Sequence, residues 1–313
     1  PTTTPADLSV FALPDDATPL AGFLIKLSML ADVLADPMEM ASRTAFGPRA
    51  FDVGKMMEAL GITGPDAMTV RMAWGRTPAG GILEGEVTDL RKFFGDLIPE
   101  TGLTDTHLQP IPADASLAIA RRIDLSALPG FINRIFRSAM NPDRMGMPAG
   151  PDGKPMEFMA AIGMLLKPVL GIDPTEDWFP YLGQTVTVYR SPESGGGGLM
   201  SLIATVEVSN PDGIRESLDA IARTLDRSVQ TRTEGYVRFV DWSTARGLDL
   251  LTVMFPGLPV PVQITLGVAG NQLLVGLTPD AVMQAAAQLG ASTSLVDQPR
   301  IADEMGRSDL DWL

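Results

Sequence analysis

His107 is the only histidine in the chain, so any chemistry that needs an imidazole must pass through it. It lies in Leu103-Thr104-Asp105-Thr106-His107-Leu108, which reads as a polar connector and predicts a solvated linker histidine. Paired carboxylates are the other acid–base candidates. They occur at Asp15-Asp16, at Glu84 with Glu86, and at Glu176-Asp177. Glu84 and Glu86 stand two apart on a strand-like stretch, so both point to one face and could present paired acids to a substrate. The same spacing also describes the wet face of an antiparallel sheet, the plainer expectation. Glu176-Asp177 follow Asp173-Pro174-Thr175 and read as helix-start charges, with Glu176 placed for a capping box. No Gly-x-Ser-x-Gly elbow is present.

Other chemistries are excluded by residue type. The chain has no cysteine, which removes thiolate catalysis, disulfides and Cys-ligated metal sites. One histidine rules out His–His metal pairs. The stretch at residues 141–155 carries Asp143 and Asp152 among glycines and prolines but lacks a calcium-loop pattern, so a surface insertion is expected. No nucleotide, metal or other cofactor is expected. The formal charge of −14, from 24 Lys and Arg against 38 Asp and Glu, opposes nucleic acid and anionic membrane surfaces alike.

The run Gly195-Gly196-Gly197-Gly198 invites a phosphate-loop reading. It has neither the Lys-Ser/Thr ending of a P-loop nor a helix after it. Thr185-Val186-Thr187-Val188-Tyr189 before it and Leu202-Ile203-Ala204-Thr205-Val206 after it are strand-like, so the glycines bend a hairpin.

The same order occurs twice. Leu60-Gly61-Ile62 leads to a strand at residues 69–74, a Pro/Gly loop at 76–81, a strand at 82–87 and a helix at 90–97. Leu170-Gly171-Ile172 leads to the strands around the glycine run and a helix at 212–225. Upstream, Leu13-Pro14-Asp15-Asp16-Ala17 echoes Ile111-Pro112-Ala113-Asp114-Ala115. Apolar helices are expected after each, at 20–34 and 51–60, and at 127–140 and 156–170. A period on the order of 100 residues indicates a duplicated unit rather than a solenoid. Beyond it, a hairpin is expected at 229–240, turning at Glu234-Gly235. Another turns at Gly270-Asn271, and Thr278-Pro279 should start a helix.

The expected domains are a linker or tail at 1–10, a first repeat at 11–105, a longer second repeat at 106–300, and a tail or further segment at 301–313. Pro1-Thr2-Thr3-Thr4-Pro5 reads as a linker end, with an export signal or anchor expected upstream. Seventeen methionines, among them Met29, Met56, Met57, Met156, Met159 and Met164, suit core filling, an adaptable apolar groove or soft-metal binding.

Ile111-Pro112-Ala113-Asp114-Ala115, the segment from Leu170 to Gly183 and the segment from Val268 to Ala286 resemble an uncharacterised family of bacterial envelope proteins. That resemblance implies an exported, envelope-associated protein of repeated α+β units, and it offers no catalytic residues. The expected fold is α+β, duplicated antiparallel sheet units with apolar helices on one face. The expected function is a non-catalytic extracytoplasmic structural or interaction protein with a protein partner in the envelope. Two other readings stay open: a carrier of a lipid or other apolar ligand between the Met-rich helices and the sheet, and a carboxylate-dependent hydrolase.

Overall fold

The computed structural model describes residues 18–46, 51–77, 80–140, 156–194, 198–233, 240–254, 262–291, 293–299 and 301. Contacts divide the chain into two compact units, Pro1–Gly95 with Phe131–Phe158, and Asp96–Gly130 with Met159–Leu313.

In the first unit, β1 (Thr18–Lys26), β2 (Thr69–Thr77) and β3 (Gly80–Val87) form an antiparallel sheet in that order. Between β1 and β2 run α1 (Ser28–Phe46) and α2 (Val53–Ala59). Asp52 caps α2, its carboxylate accepting from Lys55 N at 3.0 Å. Ala31 of α1 packs against Val53 and Met57 of α2. After β3 comes the short α3 (Leu90–Phe94), and the unit is completed by α5 (Leu128–Ala139) from Phe131 onward. Phe131 stacks on Phe94 at 5.3 Å, and Phe136 lies between Phe51 at 5.6 Å and Phe158 at 3.7 Å.

The second unit is built on a seven-stranded antiparallel sheet of order β4-β5-β6-β10-β9-β8-β7. Its strands are β4 (Leu117–Arg122), β5 (Leu182–Arg190), β6 (Leu202–Val208), β7 (Val240–Ala245), β8 (Leu248–Met254), β9 (Gln263–Ala269) and β10 (Gln272–Gly276). Its helices are the short α4 (Asp105–Leu108), α6 (Phe158–Leu170), α7 (Pro174–Asp177), α8 (Pro211–Thr233) and α9 (Pro279–Gln288).

Neighbouring residues on β10, Leu273 and Leu274, point to opposite faces and both are buried, so both faces need a cover. Ile214, Leu218, Ile221 and Ala222 make the inner stripe of α8, against Val240, Leu251, Val268 and Leu273. On the other face Ala281, Val282 and Ala285 of α9 pack with Tyr189, Ile203, Leu250 and Leu274. The α+β class expected from the sequence stands, and this sheet carries helices on both faces. Buried threonine hydroxyls pair across the strands: Thr187 with Thr205 at 2.7 Å and Thr252 with Thr265 at 3.2 Å.

The duplication is visible in register. Lys26 lies opposite Thr69 and Arg122 opposite Thr185, while Val70 pairs with Val87 and Val186 with Val206. Both hairpins expected after Leu-Gly-Ile are present, as β2–β3 and β5–β6. The two motif glycines end α2 and α6 with φ of +69° and +80°. A side chain there would collide with the Phe93 ring in the first repeat and with Thr224 Oγ1 in the second.

Three expectations are corrected. Residues 20–26 belong to strand β1, not to the start of a helix. Leu20 to Ile25 is continuously apolar and so carries no period to separate strand from helix, and the pairing with β2 decides. The first strand of the hairpin expected at 229–240 is absent, because residues 229–233 end α8; its turn at Glu234-Gly235 lies outside the described residues, and Val240–Ala245 instead pairs with Leu248–Met254 across Arg246-Gly247. The reciprocal bond at the start of α7 comes from Asp177, which accepts from Asp173 N at 2.8 Å, rather than from Glu176. The expectations for 1–10, Asp15-Asp16, the bend at 78–79, the insertion at 141–155, Gly195 to Gly197 and 302–313 lie outside the described residues. Among the described residues no single helix is long and apolar enough to cross a membrane.

Candidate functional site

A bulge on β5 builds a polar corner of the second unit. Leu182 pairs with Val208 and Val186 with Val206, so Gly183, Gln184 and Thr185 all stand opposite Glu207. Such a bulge kinks the strand and re-aims its side chains. Thr185 Oγ1 donates to Glu207 Oε2 at 2.9 Å. Gln184 accepts from the Arg122 guanidinium at 2.5 Å and donates to Asp124 at 2.9 Å. Arg122 is held a second time by Thr101, to whose carbonyl it donates at 3.1 Å.

His107 joins this corner. It is half-buried in α4 and not a solvated linker residue, which corrects the sequence expectation. The reason is a capping box. Thr104 is the N-cap, and His107 occupies the position where Glu or Gln is usual. Its Nδ1 accepts from Thr104 N at 2.8 Å, so in the neutral ring the proton sits on Nε2. Burial, then the Arg122 guanidinium, holds the imidazole below the ordinary histidine range, with Glu207 pulling the other way. The Thr-x-x-His spacing was the sequence signal for this role.

His107, Thr185, Glu207 and Gln272 line a cleft of about 330 Å³. Its rim includes the β9–β10 turn, where Gly270 has φ +56°, the backbone that a tight hairpin with glycine in first place requires. Gln272 is only 8% exposed and sits in register with Glu207 across the β6–β10 pair.

A second candidate is apolar. Across the first unit's sheet, Phe23 lies opposite Met72, Ala21 opposite Trp74, Ile25 opposite Val70, and Val70 opposite Val87. Opposed residues share a face, so this face is apolar from strand to strand. Phe23 is 54% exposed and Trp74 51%, with Ile25 and Val87 also exposed. On α1, Met29, Val33 and Met40 form an exposed stripe at helical spacing, Val33 being 69% exposed. In the second unit Leu117 and Ile119 of edge strand β4 are exposed, as are Met164, Leu165 and Val169 of α6.

The methionines therefore divide. Met57 and Met159 are buried core residues, while Met29, Met40 and Met164 face outward. Glu176 is exposed, and Asp173 and Asp177 bond backbone groups of their own turn, so these acids form no substrate cleft. Glu84 and Glu86 lie in register with Ala73 and Arg71. Among the described residues no three His, Asp or Glu side chains are grouped to hold a metal ion. A cleft of about 520 Å³ in the first unit is lined by Glu39, Asp52 and Lys55 as well as by Ala35, Val53 and Met57, so it is not an apolar pocket. No family model, curated protein or solved structure matches the chain.

Proposed function

We propose that the protein is a non-catalytic interaction module of the cell envelope that docks a protein partner on the apolar face of its three-stranded sheet. The observation that carries this reading is the shared exposed face of Phe23, Ile25, Trp74 and Val87, with the Met29–Val33–Met40 stripe on the following helix. Apolar patches of this kind mark interaction sites on soluble proteins. The net charge of −14 opposes docking on an anionic bilayer and favours a protein as the occupant.

A catalytic role for His107 is disfavoured by its bonding. A triad imidazole donates from Nδ1 to an orienting carboxylate, whereas His107 Nδ1 accepts from a backbone N–H. The envelope placement rests on the resemblance carried by Leu170 to Gly183 and its companion segments.

A photo-crosslinker at position 74, with a control at the exposed Asp212 of α8, tests this in the native host. The expected outcome is one protein adduct at position 74, absent at 212 and lost in Phe23→Asp. Adducts with lipid alone, or equal labelling at both positions, would overturn the reading.

A further inference from the structure

We propose that the His107–Glu207–Gln272 cleft binds a small amino alcohol of about monosaccharide size, its ammonium on Glu207 and its hydroxyls on Gln272 and His107. The cleft is lined by residues of the second unit alone, and the inference does not rest on the proposed docking face.

Charge comes first. Among the described residues, Glu207 is the one formally charged side chain lining the cleft while His107 is neutral. Burial and Arg122 both favour that neutral form. Arg122 is itself engaged with Thr101 and Gln184, and no Lys or Arg pairs with Glu207 among the described residues. Thr185 satisfies one carboxylate oxygen, which leaves the other to accept. A half-buried carboxylate without a counter-charge calls for a cation, and an ammonium gives the strong charge-assisted bond.

Hydrogen-bond type narrows the ligand. Gln272 is more than nine-tenths buried as a residue, and it lines the cleft. Its amide offers an N–H to an acceptor and an oxygen to a donor. A hydroxyl supplies both. His107 presents an N–H on Nε2 because Nδ1 is already taken, so it requires an acceptor oxygen. A plain alkylammonium would leave that N–H unmatched. An anion would meet Glu207 repulsively, and among the described residues a metal ion would find too few ligands. The volume, about 330 Å³, sits at the small end of ligand cavities.

The single histidine makes the test direct, because the chain gives one set of imidazole proton signals. The intact protein is titrated at pH 7 with glucosamine, N-acetylglucosamine and glucose, and the His107 ring resonances are followed. These share one hydroxylated frame, and glucosamine alone carries the ammonium. The expected result is a saturable shift with glucosamine and binding at least about tenfold weaker for the other two. Glu207→Gln should abolish that preference. Gln272→Leu should weaken glucosamine, since it removes the amide that meets the ligand hydroxyl. Equal binding of all three sugars, an unchanged preference in Glu207→Gln, or no saturable shift up to about 10 mM would each overturn the proposal.

Discussion

Thr185 Oγ1 reaches Glu207 Oε2 at 2.9 Å across the β5–β6 pair, at the point where β5 bulges. The bond ties the strand irregularity to the carboxylate. Thr185→Val removes the donor and keeps the shape, leaving one carboxylate oxygen without its buried partner. Stability should fall by about 1–2 kcal/mol, measured by urea unfolding. An unchanged midpoint would show that Glu207 turns to water without loss.

Leu165 and Leu218 test where the core ends. Leu165 on α6 is 69% exposed, whereas Leu218 on α8 is fully buried. Leu165→Asp should fold with a melting temperature near that of the wild type. Leu218→Asp places an unpaired charge in the core and should cost about 4 kcal/mol or more. Circular dichroism melts of the two variants separate the outcomes.

Tyr189 is fully buried, and its hydroxyl has no hydrogen-bond partner among the described residues. Burial, with a smaller push from Asp114, raises its pKa well above the ordinary phenol range. Tyr189→Phe deletes the unpaired hydroxyl at almost constant volume. A gain of about 1 kcal/mol in unfolding free energy is expected, and a loss of that size would reveal an unseen partner.

His107 predicts a pH effect. Its folded pKa lies below the ordinary 6.5, so the unfolded chain binds the proton more readily. The stability this confers is present above the unfolded pKa and is lost as pH falls through 6.5 towards the folded value. Melting temperature should therefore drop on acidification across that window. His107→Gln keeps an acceptor for Thr104 N and should flatten the drop.

Much of the architecture was legible because it depends on local chemistry. Both Leu-Gly-Ile motifs, the hairpins that follow them, the turn at Gly270 and the cap at Thr278 are set by backbone freedom, side-chain period and capping, all of which act over a few residues. The α+β class and the duplication followed from those signals. What resisted was non-local. Strand β1 became a strand only because β2, more than one loop and two helices away, offered a pairing edge. Residues 229–233 look strand-like by type, yet they continue α8, whose Ile214, Leu218 and Ile221 already commit one face to the sheet. The site was hidden for the same reason. His107, Thr185, Glu207 and Gln272 come from four separate elements, and only the bulge in β5 and the register of β6 with β10 bring them to one cleft. Sequence determined the types and local geometry of these residues. Tertiary structure decided their company, because burial and charge pairing depend on neighbours in space rather than along the chain.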